Sequence, residues 1–148
     1  MLIVLCGPAG AGKTSIAHRL AGGLGGAPII SSDRFRRRAY DRVMKEVESG
    51  LGEHEYMIVD ATFYRRRWRE RLMEAVGDRR RVVTILVDCS LETCLRRNSG
   101  RDVPIPDEAV CIIWSEFERP VDHDIYINTE KLSVEQAVDK ILRELKVK

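Results

Sequence analysis

Residues 7–14 read Gly7-Pro8-Ala9-Gly10-Ala11-Gly12-Lys13-Thr14, which fits the pattern G-x-x-x-x-G-K-[ST] at every fixed position. The apolar run before them, residues 2–6, predicts a strand that is buried on both faces. A helix is predicted from about residue 13 to residue 24, where a cluster of glycines ends it. Between a buried strand and a helix, a glycine-rich loop can turn its N–H groups toward a phosphate, and the helix N-terminus adds positive field. This stretch therefore predicts a nucleotide-binding site.

The positions of this loop have separate expected roles. Lys13 is expected to reach the β- and γ-phosphates, and the Thr14 hydroxyl is expected to bind Mg²⁺. The spacing differs from the G-x-G-x-x-G of dinucleotide-binding loops. ATP and Mg²⁺ are therefore the predicted cofactors. The residues expected to contact the nucleotide are Gly7, Ala9, Gly10, Ala11, Gly12, Lys13, Thr14 and Ser15.

Strand and helix patterns alternate along the rest of the chain. Further strands are predicted at 28–30, 56–61, 82–88 and 124–128, and further helices at 32–50, 64–76, 90–98, 107–117 and 133–145. This alternation predicts one α/β domain over residues 1–148, a three-layer sandwich with a parallel sheet of about five strands and the P-loop NTPase fold. We expect a lid segment at about 97–106. Ligands bind beyond the carboxyl ends of such strands, where Gly7, Asp33, Asp60 and either Asp88 or Cys89 fall.

Composition narrows the class of protein. The chain has 148 residues, a net charge of +2 and 44% hydrophobic residues, as expected for one globular domain. No apolar run approaches the roughly 18 residues of a membrane span, and no basic segment precedes the first apolar run. We therefore expect a cytoplasmic protein. The four cysteines form no C-x-x-C pair and are expected to be reduced and mostly buried.

Acidic residues at two strand ends are candidates for chemistry. Asp33 could activate an acceptor hydroxyl as a general base or simply cap the following helix, and the residues alone leave both readings open. Arg36 stands three residues further on and so is expected one helical turn from Asp33, where it could hold an acceptor phosphate or remain a solvated arginine on the helix surface. Asp60 is expected to support Mg²⁺, directly or through water. Thr62 beside it is a candidate for binding the acceptor or for capping the next helix.

Arginines occur in clusters. They lie at 34–38, at 65–71 and at 79–81, and forked guanidinium groups suit phosphate. In the 64–76 helix the apolar stripe is expected to face the core, which would leave the arginines outside for a polyanionic acceptor. Arg97 and Arg101 lead into a proline-rich loop, from which an arginine can close over the triphosphate.

Together these motifs resemble the small P-loop kinases that include polynucleotide 5′-hydroxyl kinases and seryl-tRNA kinases. The resemblance rests on GPAGAGKT, SSD-x-x-R ending at Arg36, VDAT at 59–62, RN-x-x-R at 97–101, and VPIP-x-x-x-V at 103–110 leading into FERP at 117–120. It implies that Asp33 is the general base and that Arg36 contacts the phosphate of the acceptor. It also implies that Arg97 and Arg101 are lid arginines that touch the phosphates of ATP.

The acceptor stays open between three hypotheses. The leading one is a kinase for a polynucleotide 5′-hydroxyl or another nucleic-acid or nucleotide hydroxyl. The D-x-x-R element is also typical of adenylylsulfate kinases, which supports a small-molecule kinase. A third possibility is an RNA-binding accessory protein gated by ATP. Phe63 departs from the Asn that polynucleotide kinases usually carry after their VDAT-like motif.

Overall fold

The computed structural model describes residues 1–147. Its strands are β1 (Leu2–Cys6), β2 (Ile29–Ser31), β3 (Met57–Asp60), β4 (Val82–Asp88) and β5 (Ile125–Asn128). Its helices are α1 (Lys13–Gly23), α2 (Ala39–Gly50), α3 (Arg66–Val76), α4 (Leu91–Ser99), α5 (Asp107–Glu116) and α6 (Val134–Leu145). Strands and helices thus alternate as the apolar patterns predict, except that α4 and α5 follow each other directly.

The strands form one parallel sheet in the order β2-β3-β1-β4-β5. All five residues of β1 are buried, because β1 lies in the middle of the sheet and is covered on both faces. In register, Leu2 lies opposite Met57 on one side and Val82 on the other. All carboxyl ends therefore meet at one edge of the sheet.

Two apolar layers hold the helices to the sheet. On one face, Ile16 and Leu20 of α1 and Ile141 of α6 are fully buried against the sheet. On the other face, Val43 of α2 and Leu72 of α3 are buried in a second core. This arrangement confirms the predicted three-layer α/β sandwich. Among residues 1–147, no helix has the length and apolar character that crossing a membrane requires.

The sequence predicts several boundaries well. The strands expected at 2–6 and 82–88 are found at those residues. Ser133 caps α6 in a reciprocal capping box with Gln136. Ser90 caps α4 by accepting a hydrogen bond from the N–H of Thr93. Apolar runs and capping residues act locally, and local sequence therefore predicts them.

The prediction that the second helix begins near Ser32 is wrong. Residues 32–34 form only a 3₁₀ turn, Phe35 is extended with φ −113° and ψ 126°, and α2 begins at Ala39 behind a left-handed Arg38 (φ 50°). The extended conformation lets Phe35 pack against the α2/α3 core, while the arginines that follow it stay exposed. Neither Ser32 nor Asp33 caps α2. The prediction that Arg36 lies one helical turn from Asp33 is therefore wrong.

The helix expected from residue 64 also starts later. Its N-cap is Arg65, so Thr62 does not cap it. Between them Phe63 is fully buried and left-handed, with φ 47°. Its N–H donates to the hydroxyl of Tyr40 at 3.2 Å. Because a left-handed conformation is costly for a residue with a side chain, burial and this hydrogen bond must hold the turn that follows β3.

Candidate active site

A cavity of about 500 Å³ opens at the carboxyl edge of the sheet. Its walls are the loop after β1 and the carboxyl ends of β2 and β3. Arg97 of α4 and Arg101 of the loop after α4 complete the lining. This is where the sequence predicts a ligand. Its lining residues are Ala9, Gly10, Gly12, Lys13, Thr14, Ser15, Ser31, Ser32, Asp33, Asp60, Ala61, Thr62, Arg97 and Arg101.

The loop after β1, residues 7–12, packs so tightly on its neighbours that side chains are excluded at two positions. A Cβ on Gly7 would lie 1.9 Å from the carbonyl oxygen of Val87, and one on Gly10 would lie 2.6 Å from that of Cys94. Gly10 and Gly12 are also left-handed, with φ of 86° and 101°. The glycines are thus required both by close backbone contact and by conformation. We call residues 7–12 the phosphate loop.

Lys13 is held over the phosphate loop. Its Nζ donates to the carbonyl oxygens of Gly7 at 2.9 Å and Pro8 at 3.0 Å, and the residue is only 8% exposed. Burial lowers its pKa, and the nearby Asp60 carboxylate opposes that shift. The N–H groups in the first turn of α1 have no partner within the helix, and in residues 1–147 no side chain caps this end. Lys13 and the first residues of α1 line the cavity, and an ammonium group at a helix N-terminus suits an anion.

Thr14 and Asp60 form a pair of oxygen ligands beside Lys13. The Thr14 hydroxyl donates to Oδ2 of Asp60 at 2.7 Å, and Asp60 is 4% exposed. Hydroxyl and carboxylate oxygens are ligands that Mg²⁺ takes, usually together with water and substrate phosphates. The two residues therefore fit the metal role that the sequence predicts for them.

Asp33 approaches the same cavity from the opposite side. It follows β2 in the 3₁₀ turn and lies with one carboxylate oxygen 3.7 Å from Nη2 of Arg101. The Asp33 side chain is 72% exposed and the Arg101 side chain is 43% exposed. The hydroxyl groups of Ser32 and Thr62 belong to the same wall. A carboxylate, a guanidinium and hydroxyl groups thus face the phosphate loop across the cavity.

Arg97 is engaged with the phosphate loop. Its guanidinium donates to the carbonyl oxygens of Ala11 at 3.1 Å and Gly10 at 3.4 Å. It also donates to the hydroxyl oxygen of Thr129 at 2.7 Å and to its carbonyl oxygen at 3.0 Å. Arg97, in the last turn of α4, therefore braces the loop and also lines the cavity. Thr129, just past β5, has no local motif and was missed by the sequence analysis.

Asn98 ties the loop after α4 back to the helix. Its side-chain amide donates to the carbonyl oxygen of Ile105 at 2.7 Å and accepts from the N–H of Ile105 at 3.1 Å. Asn98 is only 1% exposed. The loop 100–106, which carries Arg101, is therefore closed at its base by one side chain. That the segment 97–106 acts as a lid stays a prediction.

Other candidates lie away from the cavity. Arg36 is exposed in the loop before α2 and is not among the cavity residues, so its contact with an acceptor stays a prediction. Asp88 accepts hydrogen bonds from Arg119 and Tyr126 instead of facing the phosphate loop. Cys89 is buried behind that loop.

Most arginines of α3 already have partners. Arg66 pairs with Glu70, and Arg71 with Asp41. Arg69 donates to the carbonyl oxygens of Phe63 and Glu118, which ties the helix to the segment after α5. These contacts weaken the expectation that the arginines of α3 are free for a polyanion.

Known proteins with similar sequences are P-loop kinases. A probable adenylyl-sulfate kinase of Halalkalibacterium halodurans is 30% identical over 140 residues, covering 86% of this chain and 62% of that protein. The L-seryl-tRNA(Sec) kinase of Mus musculus is 44% identical over 36 residues, which are 24% of this chain and 10% of that protein. The chain thus spans less than two thirds of the length of these curated relatives.

The fold is shared with a solved sugar kinase from Janibacter sp., with a TM-score of 0.82, 20% sequence identity, and coverage of 99% of this chain and 94% of that one. The model of the AAA_33 family, described as an AAA domain, matches residues 2–45 and 36–120. Those matches include the phosphate loop, Asp33, Asp60 and both arginines of the cavity. The chain therefore belongs to the AAA_33 family of P-loop kinase domains.

Proposed function

We propose that the protein is an ATP- and Mg²⁺-dependent phosphotransferase that moves the γ-phosphate of ATP to a hydroxyl group. The observation that carries this proposal is one cavity with a phosphate loop on one side and Asp33 with Arg101 on the other. An ATPase needs only the phosphate loop and has no need of an acceptor-activating carboxylate on the opposite side. A carboxylate across from the γ-phosphate position is what an acceptor hydroxyl needs in order to be oriented and deprotonated.

The phosphates of ATP would bind to the N–H groups of the phosphate loop and of the first turn of α1. Lys13 would turn from the carbonyls that it contacts now to the β- and γ-phosphates. That exchange is favourable because a buried ammonium gains an anionic partner. Thr14 and Asp60 would hold Mg²⁺, which neutralises charge on the same phosphates.

Asp33 and Arg101 would act on the other side. The γ-phosphate attracts Arg101, whose contact with Asp33 is exposed and weak. Released from Arg101, the Asp33 carboxylate would accept the proton of the acceptor hydroxyl as that oxygen attacks phosphorus. Arg101 would then stabilise the charge of the transferring phosphoryl group. Ser32 and Thr62 offer hydroxyl groups for orienting the acceptor.

We further propose that the acceptor is a nucleic-acid or nucleotide hydroxyl, with a polynucleotide 5′-hydroxyl first. Arg36, Arg37 and Arg38 follow Asp33 closely in the chain and are exposed. Such a row of guanidinium groups suits an acceptor that carries phosphates next to its hydroxyl. The matched region of the mouse seryl-tRNA kinase supports the same class.

Adenylyl sulfate is the second candidate. It is supported by the similarity that extends over 86% of this chain, and by the partners that already engage the arginines of α3. A small anionic acceptor needs only the cavity and the loop beside it. A long strand would need a wider basic surface.

The test is transfer of labelled γ-phosphate from ATP to a panel of acceptors that includes a 5′-hydroxyl oligonucleotide and adenylyl sulfate. For a kinase, Lys13→Ala and Asp33→Asn should each abolish transfer, whereas Asp78→Asn, a control at another exposed carboxylate, should not. If no acceptor is labelled, and Asp33→Asn retains ATP-dependent RNA binding that Lys13→Ala loses, the protein is an accessory RNA-binding protein and not a kinase. If only adenylyl sulfate is labelled, the nucleic-acid acceptor is wrong.

A further inference from the structure

Two thiols lie in contact behind the phosphate loop. The sulfurs of Cys89 and Cys94 are 2.9 Å apart, and both residues are buried and free. Cys89 directly precedes the N-cap of α4, Ser90, and Cys94 is the fourth residue of that helix. These are the two positions at which apolar side chains often join in a hydrophobic staple. A bond between these sulfurs would be a covalent staple at the start of α4.

The two thiols differ in acidity. A hydrogen bond from the Cys94 thiol lowers the pKa of Cys89, and Arg97 acts in the same direction, although burial opposes both. That hydrogen bond and burial raise the pKa of Cys94. A site just before a helix N-terminus also favours a thiolate. Cys89 is therefore the nucleophile of the pair, and Cys94 is the thiol that can resolve it.

The pair is in direct contact with the phosphate loop. The sulfur of Cys89 lies 3.9 Å from the carbonyl oxygen of Gly10. The backbone of Cys94 lies so close to Gly10 that a Cβ there would be 2.6 Å from its oxygen and 3.0 Å from its Cα. A shift of either cysteine is therefore transmitted to the loop, because there is no gap to absorb it.

We propose that Cys89 and Cys94 form a reversible oxidation site, which hydrogen peroxide closes into a disulfide and which thereby weakens nucleotide binding at the phosphate loop. The second half of this proposal rests on the ATP binding proposed above. The first half is independent of it.

The chemistry needs one peroxide and no other oxidant. The Cys89 thiolate attacks the peroxide, the O–O bond breaks, and Cys89 becomes a sulfenic acid while hydroxide leaves. The Cys94 sulfur then attacks the sulfenic sulfur, an S–S bond forms and the S–O bond breaks. Together the two sulfurs lose two electrons, and the two thiol protons and the peroxide leave as two molecules of water. A dithiol reverses the reaction by exchange.

Closing the bond requires a small movement at a sensitive place. A disulfide is about 2.0 Å long, so the two sulfurs must approach by about 0.9 Å. The weak contact from the Cys89 thiol to the Gly10 carbonyl is lost at the same time. We expect ATP to bind at least about twofold more weakly to the disulfide form, which corresponds to the loss of a hydrogen bond at the weak end of the usual range.

The experiment uses the full chain with Cys111→Ser, which removes the half-buried thiol of α5. The reduced protein is treated with hydrogen peroxide, digested and analysed by mass spectrometry, and ATP affinity is measured before and after. Cys6 is an internal control, since burial raises its pKa to about 11 and it should keep its thiol. The peptide that contains both Cys89 and Cys94 should lose two hydrogen atoms, and dithiothreitol should restore both the thiols and the affinity.

The matched variant adds Cys94→Ser, which should gain oxygen at Cys89 without the loss of two hydrogens. A second readout is reciprocal: saturating ATP should shift the disulfide–dithiol equilibrium toward the thiols by the same factor by which the disulfide weakens ATP binding. Oxygen addition without a disulfide in the Cys111→Ser protein would overturn the proposal, and so would a disulfide that leaves ATP affinity unchanged. If the reduced protein does not bind ATP, the proposed function fails, and so does the proposed effect of the disulfide on nucleotide binding. The mass of the peptide still shows whether the Cys89–Cys94 disulfide forms.

Discussion

Asn98→Ala isolates the side chain that closes the base of the loop 100–106. The substitution removes two hydrogen bonds, of 2.7 Å and 3.1 Å, to the backbone of Ile105. Each such bond contributes about 1 kcal/mol net, and a backbone group left without a partner in a buried site costs about 1–3 kcal/mol. Because Ile105 is only half-buried, water can reach part of it. We therefore expect the free energy of unfolding to fall by about 2–4 kcal/mol.

Urea unfolding followed by tryptophan fluorescence measures this loss. Ser99→Ala is the matched control, because the Ser99 hydroxyl also donates to a backbone carbonyl, that of Arg96 at 2.7 Å, but on the exposed face of α4. We expect it to change stability by less than about 0.5 kcal/mol. The local readout is hydrogen exchange at the Ile105 amide, which should become faster in Asn98→Ala and stay unchanged in Ser99→Ala.

The same variant tests whether the loop works as a lid. Since Arg101 lies on this loop, loosening its base should lower turnover more than it weakens ATP binding. The reasoning is refuted if Asn98→Ala costs less than about 1 kcal/mol, the smallest value that two lost bonds allow, and the Ile105 amide keeps its protection. Equal losses in both variants would also refute it, since burial would then make no difference.

Three further predictions concern the phosphate loop and its support. Gly10→Ala puts a methyl group 2.6 Å from a backbone oxygen of α4 at a φ of 86° and should abolish ATP binding in calorimetry. Gly22→Ala, with open space around it, should bind ATP normally and gain up to about 1 kcal/mol in stability. Equal ATP affinity in the two variants would contradict this prediction. Arg97→Lys should weaken ATP binding about tenfold because a lysine cannot make the several hydrogen bonds of the guanidinium to Ala11 and Thr129. Arg101→Lys should lower kcat and leave ATP affinity unchanged. The same kinetic pattern in both variants would be inconsistent with separate roles. Hydrogen bonds from Ser90, the N-cap of α4, and from its neighbour Thr93 lower the pKa of Glu130 to about 2. The ionised Glu130 therefore stabilises the fold fully above pH 4.5, and this stabilisation is lost as the pH falls toward 2. The Tm difference between wild type and Glu130→Gln should close over that window, and a constant difference would argue against it.

The sheet and the phosphate loop could be predicted because their signals are local. Residues 2–6 and 82–88 are long apolar runs, and the loop has a fixed spacing of glycines before a lysine. Each of these features depends on neighbours within a few positions. The same holds for the cap of α4 at Ser90, although its backbone N–H is bound by Glu130, forty residues away.

The errors arise where tertiary contacts decide. Nothing near Asp33 indicates that Phe35 will be extended, because that conformation depends on the core formed by α2 and α3. The bonds between Arg97 and Thr129 could not be predicted for the same reason, because Thr129 lies thirty-two residues further along the chain. That Arg97 is a lid arginine, as the resemblance implies, stays a prediction.

The contacts of α4 bear on the prediction that the segment 97–106 acts as a lid. Arg97 fixes the last turn of the helix to the backbone of Gly10 and Ala11, and Asn98 closes the loop that follows. Arg101, only four residues beyond Arg97, makes a 3.7 Å contact with the exposed Asp33 instead. Side chains bonded to buried backbone move little, whereas an exposed ion pair exchanges easily. We infer that motion is confined to the residues beyond Asn98. If the segment is a lid, the helix keeps the phosphate loop in shape while Arg101 moves toward the γ-phosphate.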